Sequence, residues 1–224
     1  TRSRLLRRGH HRAHLGPALA RLLTRGGGVR ADPSGGRSIA DQQAFLEEVG
    51  RDAFRDTPDD QLLTALRGKD VLVVFVESYG RTVVESPEYA RVTAMLAQGD
   101  QRLAAAGLGA RSAFLTSSTS GGYSWLAHAT TISGLRIDTR QRDTRLTESD
   151  RLTLNGAFHR AGWRTVGVMP AITGDWPEGE FYGYDQLYDA RNVGYAGPRF
   201  SYATMPDQYT LSFLQRTELA GADR

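Results

Sequence analysis

Hydrophobic positions along the chain fall into two patterns, helical spacing and short uninterrupted apolar runs. Helical spacing from Ser38 to Phe54 predicts a first helix, and the segment 58–66 predicts a second, shorter one. The run 71–76 contains only Val, Leu and Phe and shows no alternation with polar residues. Such a run is typical of a strand that is buried on both faces, so we predict that 71–76 lies at the centre of a parallel sheet.

The rest of the chain continues the alternation of strands and helices. Helices are predicted over 87–108, 124–132, 149–161 and 206–219, and strands over 112–115, 165–169 and 184–188. Strands that alternate with helices predict an α/β fold, in which a largely parallel sheet carries helices on both faces.

Composition excludes several classes of protein. The chain has 224 residues, of which 40% are hydrophobic, enough to bury one core. It contains no cysteine, which excludes disulfide scaffolds, thiolate metal sites and cysteine nucleophiles. No apolar run approaches the roughly 18 residues of a membrane span, and the first residues lack the apolar region of a secretory signal.

The charge is unevenly distributed. Residues 1–31 carry eight Arg and no acidic residue, whereas the net charge of the whole chain is +3, so residues 32–224 are mildly acidic. The basic segment is either a connector or juxtamembrane piece, or an arm that binds anionic lipid or nucleic acid. Because aromatic residues are not interleaved with its Arg residues, we do not expect nucleic acid as the partner.

Glu77 is the first candidate for a site residue because it directly follows the apolar run 71–76. Ligands of open α/β sheets bind beyond the carboxyl ends of the strands. A carboxylate there is costly unless it is exposed, hydrogen bonded or bound to a cation. The residue alone leaves three interpretations open: a solvated or helix-capping carboxylate, a metal ligand, or a general base.

The second candidate is the hydroxyl- and glycine-rich run 116–122, which leads into the helix predicted to begin at Ser124. In that helix Ser124 and His128 lie on one face, one turn apart. Amide groups at a helix start favour an anion, although Ser, Thr and Gly are also common in ordinary loops. The P-loop signature is absent from the sequence, and the nucleophile-elbow motif lacks its final glycine after Ser124.

Together these segments resemble the sulfatase and alkaline-phosphatase superfamily, in particular the branch of lipoteichoic-acid synthase and related phosphoglycerol transferases. The resemblance covers about 70–219. Its first two motifs are an apolar strand that ends in Glu77-Ser78 and a hydroxyl residue, Ser124, that opens a helix closing at Ser133-Gly134. The others are the segments 161–167 and 181–185 and the acidic helix start at Pro206-Asp207. It implies an alkaline-phosphatase-like fold for 69–224, preceded by a basic Gly- and Arg-rich arm over 1–37 and a helical lead-in over 38–68.

The resemblance also implies a function. It predicts a metal-dependent hydrolase or transferase of phosphate or sulfate esters, with Ser124 as nucleophile at a divalent cation (Mn, Mg, Zn or Ca) held by Glu77 and Ser124. His128 would bind a phosphate oxygen or protonate the leaving group. Trp125 and Asp207 would contact the alcohol, although Trp125 is equally expected to pack on Tyr123 or Phe114, and Asp207 to act as a helix-start charge.

Departures from the family pattern narrow this prediction. Sulfatases convert a Cys or Ser to formylglycine within Cys/Ser-x-Pro-x-Arg, whereas this chain has Leu126 and His128 at the Pro and Arg positions. An unmodified serine and a phosphoryl ester are therefore expected.

The family's Asp-His pair has no counterpart after Ser124, so the sequence looks like the N-terminal half of a catalytic domain. Its expected partners are the missing C-terminal half or a second copy. The alternative is a catalytically incomplete domain that acts as a binding or structural module. The family suggests a membrane-associated, extracytoplasmic location. Arg-rich segments next to a membrane favour the cytoplasmic side, however, so the two indications conflict and the location stays open.

Overall fold

The computed structural model describes residues 33–76, 80–199 and 203–221. The chain divides into two compact units, 1–41 and 42–224. Of the first unit, the described residues form the beginning of helix α1, which spans Pro33–Gly50. The helix begins at Pro33 and not at Ser38 as predicted, because proline is well tolerated at the first position of a helix, where its missing N–H is not needed. The rest of the predicted basic arm lies outside the described residues.

The second unit is mostly helical. After two 3-10 turns at Asp59–Gln61 and Thr64–Leu66, its elements are α2 (Arg81–Glu85), the 3-10 turn Pro87–Tyr89, α3 (Ala90–Ala105), α4 (Ser124–Ser133), α5 (Arg140–Thr147), α6 (Leu154–Arg160), β1 (Val166–Met169), α7 (Gly179–Tyr182), β2 (Gln186–Asp189) and α8 (Asp207–Leu214), which continues as a π-helical turn, Gln215–Leu219. The predicted helices at α1, α3, α4, α6 and α8 are confirmed, but α6 is shorter than the predicted range 149–161. Helices α2, α5 and α7 were not predicted.

The sheet of the described residues consists of β1 and β2, which pair in parallel from Val166 opposite Gln186 to Met169 opposite Asp189. Helix α7 lies in the connection between them. Two hydrogen bonds lie next to the start of this pairing: the Asp185 carboxylate accepts from the backbone N–H of Thr165 at 2.7 Å and from its hydroxyl at 2.9 Å. The described residues therefore combine helices with a small parallel sheet, which is compatible with the predicted α/β class.

Two predicted strands do not form. Residues 71–76 and 112–115 are not in strand conformation, and residues 71–76 are 40–68% exposed rather than buried. A strand needs a neighbour that accepts and donates its backbone hydrogen bonds. Among the described residues neither segment has such a neighbour, so an apolar run alone did not suffice to make a strand.

Helix α4 lies at the centre of the hydrophobic core of the second unit. Its apolar face is buried, and it packs with residues of α1, α5 and α7 and of the segment after α4. The buried members of this cluster are Phe45, Val49, Leu126, Ala129, Ile132, Leu135, Ile137, Leu146 and Tyr182. Burial of a Leu or Ile side chain stabilises a fold by about 1.5–3 kcal/mol, so Leu126 and Ile132 help to hold α4 in place.

Segment 52–59 is tied to α6 and its preceding loop by polar contacts. The carboxylate of Asp52 accepts hydrogen bonds from the backbone N–H groups of Phe54, Arg55 and Leu152. Burial opposes ionisation of Asp52, but these bonds and the charge of Arg151 outweigh it and lower the pKa of the carboxyl group.

No helix among the described residues has the length and apolar character needed to cross a membrane.

Candidate functional site

The candidate site is built around the start of α4, where the backbone makes an unusual turn. Gly121, Gly122 and Tyr123 all have positive φ angles, of 71°, 133° and 54°. Glycine adopts such angles without penalty, whereas a residue with a Cβ is strained by roughly 1–2 kcal/mol. Strain of this kind persists where the surrounding structure enforces it, and here it sets the direction in which Ser124 enters α4.

The loop before this turn is anchored to α4 through two hydroxyl groups. Ser118 is buried, and its Oγ lies 2.9 Å from Oγ1 of Thr130, in the middle of α4. Thr130 Oγ1 also accepts a hydrogen bond of 2.9 Å from the backbone N–H of Ile137. One side chain therefore joins the loop before α4 to the segment after it. Nothing in the sequence distinguishes Thr130, because a threonine inside a helix carries no distinctive signal.

His128 lies one helical turn after Ser124, as predicted, and both side chains are half-buried. The imidazole ring packs against the ring of Phe75, with centroids 4.2 Å apart and planes inclined by 30°. This contact brings the end of the apolar run 71–76 to the face of α4 that carries His128. Glu77 lies outside the described residues, so its predicted approach to Ser124 stays a prediction.

The aromatic residues on either side of Ser124 form a small platform. The rings of Tyr123 and Trp125 meet edge to face, with centroids 6.4 Å apart. The guanidinium carbon of Arg140, from the first turn of α5, lies 5.8 Å from the Tyr123 ring centroid and 5.6 Å from that of Trp125. Trp125 is 38% exposed, so it packs on Tyr123 and also presents surface to solvent.

Arg140 was missed by the sequence analysis because α5 was not predicted. The helix is polar on almost every side, and Leu146 is its single buried apolar residue. A local signal for the helix did exist, since the side chain of Thr139 caps its start by accepting from the N–H of Arg142. The approach of Arg140 to Tyr123 and Trp125 depends on tertiary packing, which no local signal predicts.

Asp207 is exposed at the first position of α8. Among the described residues, no hydrogen bond, ion pair or ring contact joins Asp207 to Ser124, His128 or Trp125. The structure therefore brings together Ser124, His128 and Trp125, and not Asp207. The position of Asp207 agrees with its other predicted role, a negative charge at a helix start.

Asp143, one turn after Arg140 on α5, is the most perturbed carboxyl group near this platform. It is 9% exposed, and its Oδ1 has no hydrogen-bond partner among the described residues. Burial, together with the negative charge of Glu178, raises the pKa of Asp143 to about 6, against the opposing effect of Arg140. The pKa of Tyr182 is also raised, by burial and then by the charge of Asp143.

Within the residues that the structure describes, no three His, Asp or Glu side chains are grouped so that they could hold a metal ion. No family model, curated protein or solved structure matches this chain. Chemically, the described site offers a hydroxyl group at a strained helix start, an imidazole one turn away, and a guanidinium group above two aromatic rings.

Proposed function

We propose that the chain carries the nucleophile of a phosphoester transferase or hydrolase of the sulfatase-like type, with Ser124 as that nucleophile. The observation that carries the proposal is the start of α4. Three successive positive φ angles, one of them in a tyrosine, orient Ser124, and His128 lies on the same helix face. The larger alkaline-phosphatase-like sheet that the resemblance implies is part of this proposal.

In the proposed reaction Ser124 Oγ attacks the phosphorus in line. A bond forms between that oxygen and phosphorus, the bond from phosphorus to the leaving alcohol breaks, and the alcohol departs. His128 provides the acid–base group at this site, taking the serine proton or delivering a proton to the departing oxygen. A second alcohol or water then attacks the phosphoserine and regenerates the serine.

The proposal includes a divalent cation held by Glu77 and Ser124, because the family that the sequence resembles uses such a cation. Such a cation, when bound, neutralises phosphate charge and lowers the pKa of a bound hydroxyl group. The contact between Phe75 and His128 supports the assignment of Glu77, because Glu77 follows Phe75 by two positions in the sequence. The described residues contain no group of three His, Asp or Glu side chains that could hold a metal ion. The proposal therefore requires further ligands of the cation besides Glu77 and Ser124.

The experiment uses the full chain with bis(p-nitrophenyl) phosphate in the presence of Mn²⁺. We expect a burst of one p-nitrophenolate per protein and a matching gain of mass on the protein. Ser124→Ala removes both, whereas the matched variant Ser120→Ala, an exposed serine of the preceding loop, retains them. Labelling that survives in Ser124→Ala contradicts the nucleophile assignment.

A titration with Mn²⁺ separates the catalytic proposal from the binding-module alternative. We expect heat of binding in the unaltered chain and its loss in Glu77→Gln. If neither labelling nor cation binding occurs with Mn²⁺, Mg²⁺, Zn²⁺ or Ca²⁺, the catalytic proposal fails and the module alternative replaces it.

A further inference from the structure

Arg140 differs from the other arginines around α5 in its partners. Arg136 and Arg142 pair with Asp138, at 3.1 and 3.7 Å, and Arg145 pairs with Glu148 at 3.0 Å. Arg140 takes part in no ion pair of this kind among the described residues, although its charge acts on the buried carboxyl group of Asp143, and its side chain is exposed. Its guanidinium group is instead held above the rings of Tyr123 and Trp125.

The position of this guanidinium group is defined by two rings at once. Its guanidinium carbon lies within 6 Å of both ring centroids, the range in which a cation is attracted to an aromatic ring. Contact with two rings restricts an otherwise flexible side chain, and because Arg140 is exposed its N–H groups can still reach an acceptor. Ser124 lies between the two platform residues in sequence, so Arg140 is held over the segment that contains the proposed nucleophile.

We propose that Arg140 binds the phosphate group of the ester that Ser124 attacks, with Tyr123 and Trp125 as the platform that orients its guanidinium group. This inference rests on the proposed function and adds the residue that recognises the substrate anion. A planar guanidinium donates two parallel hydrogen bonds to a phosphate, which an ammonium group cannot do. A carboxylate can accept the same pair of bonds, so the choice of phosphate comes from the phosphoester that Ser124 is proposed to attack.

The test is a calorimetric titration of the full chain with inorganic phosphate at low salt, without added metal. Arg140→Gln is expected to weaken phosphate binding by about 10-fold or more, because charge-assisted hydrogen bonds to the anion are lost. The matched control is Arg145→Gln, which removes the same charge from an exposed position of the same helix and is expected to change binding by less than about 2-fold.

Arg140→Lys provides a second variant that keeps the charge but loses the planar pair of donors. We expect it to bind phosphate several-fold more weakly than the unaltered chain, and circular dichroism checks that both variants fold. Equal phosphate affinity in Arg140→Gln, Arg145→Gln and the unaltered chain overturns the inference, as does full affinity in Arg140→Lys.

Failure of this inference is distinguishable from failure of the proposed function. Loss of labelling in Ser124→Ala combined with unchanged phosphate binding in Arg140→Gln refutes the role of Arg140 alone. Retained labelling in Ser124→Ala combined with weakened phosphate binding in Arg140→Gln refutes the nucleophile and leaves Arg140 as an anion-binding residue.

Discussion

Replacement of Asp143 by asparagine should stabilise the protein at neutral pH and not at acidic pH. Asp143 is almost fully buried on α5, and one of its carboxylate oxygens has no hydrogen-bond partner among the described residues. Burial and the charge of Glu178 raise its pKa from an ordinary value of 3.8 to about 6. The folded chain therefore holds this proton more tightly than the unfolded chain between these two pH values.

The size of the effect follows from that pKa. Because the folded state binds more protons than the unfolded state between about pH 4 and pH 6, the free energy of unfolding falls as the pH rises through this range. Each unit of pKa corresponds to about 1.4 kcal/mol, so ionised Asp143 destabilises the fold by about 3 kcal/mol above pH 7. The asparagine side chain has nearly the same shape as that of Asp143 and no charge to desolvate, so the variant should recover most of this free energy.

Urea denaturation at pH 4, 5, 6 and 8, followed by circular dichroism, measures the effect. We expect the difference between Asp143→Asn and the unaltered chain to grow from near zero at pH 4 to about 2–3 kcal/mol at pH 8. Glu148→Gln, an exposed acid-to-amide change at the end of the same helix, should alter stability by less than about 0.5 kcal/mol at every pH. A difference that is independent of pH, or a destabilised variant at pH 8, would refute the reasoning.

Two further predictions concern the contacts that hold the site and its supporting segments. Thr130→Val should lower the free energy of unfolding by about 2 kcal/mol and slow the labelling of Ser124, because the hydroxyl that holds Ser118 is lost. Thr131→Val, an exposed threonine of the same helix, is the control, and equal effects of the two changes would contradict the prediction. Arg160→Ala should lower the free energy of unfolding by about 2–4 kcal/mol in urea denaturation. The guanidinium donates to Asp59 at 2.7 Å and to the backbone carbonyls of Arg55 and Thr57, and all of these bonds are lost. A loss below about 0.5 kcal/mol would show that these bonds do not hold 55–59 to α6.

The parts of the fold that were predictable are those with strong local signals. Helix α4 has apolar residues at helical spacing and ends directly before Gly134, whose φ angle is positive. Strand β1 is a short apolar run bounded by Pro170. The run 71–76 has an equally strong local signal and still forms no strand in the structure. Strand formation depends on a hydrogen-bonding neighbour that can come from anywhere in the chain, and composition does not supply one.

In the candidate site, too, the features set by local sequence could be predicted and those set by tertiary packing could not. The pairing of Ser124 with His128 follows from the period of a helix, so it could be predicted once α4 was placed. The contact of Phe75 with His128 and the stacking of Arg140 join segments that are distant in sequence. These contacts depend on tertiary packing around α4 and could not be inferred from residue spacing.

The most direct measurement of the central claim is the location of the covalent adduct. After reaction of the full chain with bis(p-nitrophenyl) phosphate and Mn²⁺, digestion with trypsin yields the peptide 112–136, which contains Ser124 together with the other hydroxyl residues of the loop and of α4. Fragmentation of this peptide in a mass spectrometer identifies the residue that carries the phosphoryl group. The proposal predicts a single adduct on Ser124, and an adduct on any other hydroxyl, or none on this peptide, would contradict it.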